Sequence, residues 1–401
     1  MLNDFYQFQA QTSKSPLALE VDKAKGTYIY DKKGKSYLDF VAGVSACSLG
    51  HCHPKIVQAI QTQLDNYLHV MVYGEYAQEP AVNYCKTLVK HLPSPLDNVY
   101  LTNSGTEATE GALKLARKYT SRNQLISCYH AYHGNTMGSM SVMGESYPKK
   151  GYGKLLEDVD HIQFNSIEDL EKITSNTAAV IIETIQGGAG FITPKDNYLQ
   201  KVKLRCEQTG ALLILDEIQP GFGRTGKLFG FEHYCVTPDI LIIGKGMGGG
   251  MPAGAFISSK KIMEVLSDNP KLGHITTFGG HPVIAAASKA TLDVLTTTNL
   301  LESIEIKEQL FRKLLKHPLI KEVRGIGLML AIITNSPEIA NDLIFNSREK
   351  GLSLFWLLFE NKAVRVTPPL TISTDEIKKG CAIIINVLDE LLAKQVANYV
   401  N

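Results

Sequence analysis

A chain of 401 residues with 41 Lys+Arg against 40 Asp+Glu carries a formal charge of +1, too even a balance for a protein that neutralises nucleic-acid phosphates or an anionic membrane surface. Its 44% hydrophobic and 20% charged residues lie in the globular range, and the length predicts about two or three domains. No apolar stretch approaches the roughly 20 residues of a membrane-spanning helix, no secretory leader is visible in the polar N-terminus, and seven scattered cysteines fit reduced thiols in a cytoplasm better than a disulfide framework.

The first element signal is a hairpin. Tyr28-Ile29-Tyr30 and Ser36-Tyr37-Leu38 flank Asp31-Lys32-Lys33-Gly34, and residues 1–53 are expected to join a smaller domain completed by the C-terminal part. His51-Cys52-His53 invites a metal reading, but no third ligand stands at helical or loop spacing. Pro54 and Pro80 open helical patterns with apolar residues at face spacing. Apolar runs then recur at Asn98–Leu101, Leu125–Cys128, Ala178–Ile182, Ala211–Leu215, Ile240–Ile243 and Gly254–Ser258. Several are apolar throughout, as strands covered on both faces are. Residues 54–285 thus read as an α/β domain with a mostly parallel, doubly wound sheet. Residues 286–401 read as a small α+β domain, with helices over Asn299–His317 and Ser373–Val396 enclosing strands at Gly327–Ile333, Leu352–Phe359 and Val364–Val366.

In a doubly wound sheet the ligand lies beyond the carboxyl ends of the strands, so the residues just past each run carry the argument. After Asn98–Leu101 comes Asn103-Ser104-Gly105-Thr106-Glu107. Ser104 and Glu107 fit a capping box, and the free N–H groups of the helix start suit a phosphate as well as a plain cap. Tyr132-His133-Gly134-Asn135 follows Leu125–Cys128, and an aromatic ring there could stack on a flat heterocycle or belong to the core. Asp216 ends an apolar strand, where a carboxylate needs a cation or hydrogen-bond donors, or else caps the next turn. Lys245 sits between glycines in Gly244–Gly250. Such an amine, partly desolvated, can form a Schiff base, although a solvated loop lysine is the alternative for this stretch alone. The same loop matches G-x-G-x-x-G, but Met251-Pro252-Ala253 stands where a dinucleotide-binding helix should continue, and no Ser or Thr follows the lysine as a Walker loop requires.

In combination these stretches resemble the class III aminotransferases among the fold type I pyridoxal-phosphate enzymes, nearest within the class to acetylornithine and ornithine aminotransferases. The resemblance runs from about Gly26 to the C-terminal helix. Beyond the stretches above it rests on Tyr37-Leu38-Asp39-Phe40, Leu49-Gly50-His51-Cys52-His53-Pro54, Gly223-Arg224-Thr225-Gly226, Gly248-Gly249-Gly250-Met251-Pro252, Thr277-Phe278-Gly279-Gly280 and Arg365-Val366-Thr367-Pro368-Pro369-Leu370.

The resemblance implies pyridoxal 5'-phosphate held as an internal aldimine by Lys245, with Asp216 on the ring nitrogen, Gln219 on the ring hydroxyl and Tyr132 on the ring face. Ser104, Gly105 and Thr106 would receive the phosphate. His133 and Glu183 would complete the cofactor site. Thr277 would reach the phosphate of a neighbouring subunit, which implies a homodimer. Arg365 would hold the carboxylate of a 2-oxo acid in a bidentate fork. The implied reaction is a ping-pong transfer, through aldimine and ketimine, from an amino-acid or ω-amine donor of the acetylornithine kind to a 2-oxo acid, with 2-oxoglutarate favoured.

Some residues depart from the family's pattern. Asn135 replaces an arginine that grips a second carboxylate, Gly188 replaces a glutamate that pairs with the equivalent of Arg365, and Val44 replaces a tyrosine that recognises ornithine. His281 replaces a common asparagine. The same catalytic pair would also serve a fold type I isomerase, epimerase or lyase, or an ω-amine:pyruvate aminotransferase, and a scaffold without catalysis is the remaining alternative.

Overall fold

The structure is a computed structural model that describes residues 1–71 and 73–400. Its centre is a seven-stranded sheet in the spatial order Asn98–Thr102, Gly254–Ser258, Ile240–Gly244, Leu212–Asp216, Thr177–Glu183, Gln124–Cys128, Val159–Ile162. Only Gly254–Ser258 runs antiparallel to its neighbours. The apolar runs form these strands because both faces are covered: every residue of Thr177–Glu183, Leu212–Asp216 and Ile240–Gly244 is buried. The helix Gly105–Thr120 lies so close to the sheet that a Cβ on Gly111 would stand 2.3 Å from the Phe256 ring.

Val159–Ile162 escaped the sequence reading. Its residues are Val-Asp-His-Ile at the sheet's edge, where one side faces solvent and the apolar run that marks central strands is lost.

The hairpin forms as expected, with Tyr28–Asp31 antiparallel to Ser36–Asp39. Its second strand pairs in parallel with Leu352–Ser353, so the N-terminal segment and the C-terminal part build the smaller α+β unit together. The apolar stretch 352–359, expected as one strand, is divided between two sheets. Leu352–Ser353 joins the hairpin, while Phe355–Trp356 pairs antiparallel with Ala363–Val366. Ile320–Ile326, Met329–Thr334, Ala363–Val366 and Phe355–Trp356 make the third sheet. The helix expected over 299–317 is a short 3-10 turn, Leu301–Ser303, followed by Ile304–Leu314. A helix at Pro337–Glu349 and the strand Ile320–Ile326 were not anticipated. The helix Pro282–Thr297 passes through position 285 without a break and packs on Pro54–Asn66 and Glu79–Val89.

Candidate active site

The parallel strands deliver their ends to one edge. Asp216 and Glu183 are register neighbours on adjacent strands, and Asp216 also pairs with Ile242, three residues before Lys245. A cavity of about 460 Å³ opens there. Lys245, Asp216, Glu183, Gln219, Gly105 and Thr106 line it, together with Tyr132, His133, Asn135, Val44 and Arg365.

Asp216 is 3% exposed and is held on two sides. Its Oδ1 accepts from the Ile218 amide at 2.9 Å, and its Oδ2 lies 2.7 Å from His133 Nδ1. The other ring nitrogen of His133 is buried with no hydrogen-bond partner. Glu183 accepts from the amides of Gly187 at 3.0 Å and Tyr132 at 3.3 Å. Burial, more than the nearby Asp216 charge, pushes its carboxyl up to about 7.

Lys245 begins a 3-10 turn, Lys245–Gly248, directly after its strand, with φ at +43°. Among the described residues its amine has no hydrogen bond or ion pair. Desolvation lowers its pKa from the ordinary lysine value, and the Asp216 charge partly opposes that shift. An unpaired amine on the cavity wall, a few residues from a held carboxylate, is equipped to condense with a carbonyl and to carry a proton.

Ser104 caps the helix Gly105–Thr120 by accepting from the Glu107 amide at 3.3 Å. Glu107 does not return to Ser104 as a capping box requires; its carboxylate reaches one residue further, to the Asn103 amide at 2.7 Å. That leaves the amides of Gly105 and Thr106 at the positive end of a 16-residue helix, a suitable receptor for a phosphate. The Thr106 hydroxyl is fixed by Ser139 at 2.7 Å and by Thr136 at 2.9 Å. Gly134, with φ at +127°, allows this approach, since a Cβ there would stand 2.2 Å from the Thr106 hydroxyl. Among the described residues, helix-start amides without partners, a held acid and an unpaired lysine fit pyridoxal phosphate, for which they would supply a phosphate receptor, a partner for the ring nitrogen and an amine for the aldehyde.

Arg365 comes from Ala363–Val366 of the smaller unit. It is 5% exposed, lies over the Phe191 ring at 5.5 Å, and has Nε and Nη1 without partners. Burial brings its pKa down to about 10, so the group is a cation at neutral pH. Position 188 carries no acid, and Phe359 crowds it: a Cβ on Gly188 would stand 2.8 Å from the Phe359 ring.

Thr277 is exposed and does not line the cavity. His51 pairs with Asp39 at 2.8 Å, and His53 stands at the N-cap position of the helix Pro54–Asn66 without a side-chain capping bond. Reading from residues alone missed Phe355, Trp356 and Leu358, which line the cavity from the smaller unit, along with Ile218 and Pro220. A usable signal was the chain's single tryptophan, nine positions ahead of Arg365.

Comparison with known proteins agrees with this geometry. The family profile described as Aminotransferase class-III matches residues 8–388. Acetylornithine aminotransferase from Caldanaerobacter subterraneus is 38% identical over 381 residues, 92% of this chain and 94% of that one. A crystal structure of ornithine aminotransferase from Toxoplasma gondii superposes with a TM-score of 0.91 at 30% identity, covering 98% of this chain and 96% of that one. A second structure of the Toxoplasma enzyme, grown with oxidised glutathione, has partial occupancy of pyridoxal phosphate at its active site; it matches with a TM-score of 0.89 at 31% identity, covering 96% of this chain and 93% of that one.

Proposed function

Since this chain belongs to the class III aminotransferases, and so uses pyridoxal phosphate, we propose that it transfers an amino group from an amino-acid donor resembling acetylornithine to a 2-oxo acid, with 2-oxoglutarate as the favoured acceptor, in two half-reactions at the Lys245 cavity. The cofactor supplies a carbonyl that condenses with amines and a cationic ring that takes up the electron pair left when the substrate carbon loses its proton.

The chain's own residues do the rest. Asp216 keeps the ring nitrogen charged, and His133 holds Asp216 in place. The Lys245 amine, its pKa lowered by burial, would be the group that takes the proton from the substrate carbon and gives it back. Gln219, itself bonded to the Ser45 hydroxyl at 3.3 Å, would serve the cofactor's ring hydroxyl, and Tyr132 would supply an aromatic face for the ring. Gly105, Thr106 and the Ser104 cap receive the phosphate, with Thr277 of a second subunit completing it in a homodimer. Arg365 holds the carboxylate of the 2-oxo acid, and no acid occupies position 188 to mask it. The observation that carries the reading is the juxtaposition of Lys245, Asp216 and Arg365 around one cavity.

Asn135 favours a second acceptor. It is exposed on the cavity wall where a cation would serve a second carboxylate, and a neutral residue there suits pyruvate. A cytoplasmic location accords with seven free cysteines; no helix among the described residues is long and apolar enough to cross a membrane.

The test is a half-reaction screen. The enzyme charged with pyridoxal phosphate is mixed with a panel of amines that includes N-acetylornithine, and conversion to pyridoxamine phosphate is followed by absorption. Regeneration is then compared with 2-oxoglutarate and pyruvate. Failure of every amino donor to convert the cofactor would overturn the reading.

A further inference from the structure

The segment between the hairpin and the helix Pro54–Asn66 has an unusual backbone. Ala42, Gly43, Val44 and Ser45 all have positive φ, at 50°, 58°, 59° and 68°. A run of consecutive left-handed residues is disfavoured for L-amino acids, and a β-branched valine is a rare occupant of that region. Such a turn persists only where its surroundings fix it.

Asp39 and His51 provide that fixing. Asp39 is fully buried at the end of Ser36–Asp39. Its Oδ1 accepts from the amides of Val41 at 2.8 Å and Ala42 at 3.1 Å, and its Oδ2 also accepts from Ala42 at 3.1 Å. The same Oδ2 lies 2.8 Å from His51 Nε2. The His51 backbone is itself bridged to Gly26, with amide-to-carbonyl distances of 2.8 and 2.9 Å. On the far side Thr367 donates its hydroxyl to the Val41 carbonyl at 3.1 Å and its amide to the Phe40 carbonyl at 2.7 Å, two residues after Arg365.

The held turn faces the cavity twice. Val44 lines it, and the Ser45 hydroxyl accepts from Gln219 at 3.3 Å. We propose that Asp39 and His51 are positioning residues for the reaction: paired, they lock the left-handed turn Ala42–Ser45 in the shape that brings Val44 to the substrate and Ser45 to Gln219, in fixed relation to Arg365. The proposal rests on the proposed function only in taking this cavity as the substrate site. Neither residue touches the cavity itself, so both act through the turn, and both shape which donor is accepted rather than the chemistry of proton transfer.

The experiment compares H51F, H51Q and D39N with V44A in the full-length enzyme charged with pyridoxal phosphate. Amide hydrogen exchange reads the turn, and half-reactions with N-acetylornithine, ornithine and alanine read donor selection. Loss of a hydrogen bond to a charged group should speed exchange at Val41–Cys47 by about tenfold or more in H51F and D39N, with the strand Leu212–Asp216 unchanged. H51Q, which can still donate to Asp39, should recover most of the protection. H51F should shift the ratio of donor rates in the direction V44A does, and the H51F/V44A double variant should shift it less than the sum. Unchanged exchange at the turn in both H51F and D39N would overturn the proposal, as would an equal loss of rate with all three donors. If wild-type enzyme converts no donor, the proposed function fails, while the exchange result still decides whether the pair holds the turn.

Discussion

His133 Nδ1 lies 2.7 Å from the Asp216 carboxylate with both side chains buried, and among the described residues the other nitrogen of the ring has no partner. The pairing makes His133 a support for Asp216, the acid proposed for the cofactor's ring nitrogen, and it separates two variants by size of effect. Losing the charge proposed to meet the ring nitrogen would leave that buried partner uncompensated, at about 3–5 kcal/mol, so Asp216→Asn should lower kcat by roughly 10²- to 10⁴-fold. His133→Phe keeps a ring of similar size but loses one hydrogen bond to a charged group, about 1.5–3 kcal/mol, and should lower kcat by about 10- to 100-fold. Steady-state rates at saturating donor and acceptor check the order; equal losses would mean that His133 does more than hold Asp216.

Burial lowers the pKa of Lys245 from its ordinary 10.5. At any pH between neutrality and that value a larger fraction of this amine is unprotonated than of a solvated lysine. Cofactor-free enzyme treated with an amine-selective acylating reagent should therefore be labelled at Lys245 ahead of exposed lysines such as Lys154. The rate should rise with pH to a plateau reached below 10.5. Peptide mapping after brief labelling at several pH values reads this directly. Lys245→Ala should give no covalent cofactor and no transamination.

The site was legible wherever chemistry follows a buried strand. Asp216 and Lys245 stand at the ends of Leu212–Asp216 and Ile240–Gly244, whose residues are all buried, and continuous apolar runs announce such strands. Ser104 was readable because a capping residue is a local signal. What stayed hidden depends on distant contacts. The Asp39–His51 pair joins a strand end to a loop twelve residues on, and neither residue type announces it. Phe355 and Trp356 look like core in sequence, and only the division of their stretch between two sheets turns them to the cavity. The strand Ile320–Ile326 was missed because it is only partly buried and lacks a clean alternation.

Among the described residues, two buried nitrogens of Arg365 have no partner. Unmet donors of this kind are costly until a ligand satisfies them, so the guanidinium is poised for a carboxylate. Arg365→Lys keeps a charge but loses the fork and should raise KM for 2-oxo acids by about tenfold or more, each charged hydrogen bond contributing about 1.5–3 kcal/mol. Arg365→Ala should raise it further. The absorption of the bound cofactor should stay as in wild type, since Arg365 is proposed to meet the substrate carboxylate and not the cofactor. Loss of cofactor in Arg365→Lys would contradict this division of the site.

Asn135 is exposed where the cavity opens. An arginine at this position would bring a second cation within reach of a dicarboxylate. Asn135→Arg should lower KM for 2-oxoglutarate by about tenfold, the equivalent of ~1.4 kcal/mol, and leave pyruvate unaffected. Competition between the two acceptors in one reaction measures the change; an unaltered ratio would mean that the distal carboxylate is gripped by another group.

The Asp39 carboxylate, with a smaller contribution from Cys47, raises the pKa of His51 from 6.5 to about 10. In the unfolded chain the ring returns to its ordinary value, so the folded form binds the extra proton between the two. The stabilisation from this pair is complete below about pH 6.5, shrinks as pH rises, and is gone once pH passes the folded value of about 10. The difference in thermal midpoint between wild type and His51→Gln should accordingly be largest near pH 6 and close toward pH 10. Taking the difference removes the titration of other groups common to both proteins. A gap that widens with rising pH would show that His51 is held neutral in the folded enzyme, and would remove the charge from the pair that braces Ala42–Ser45.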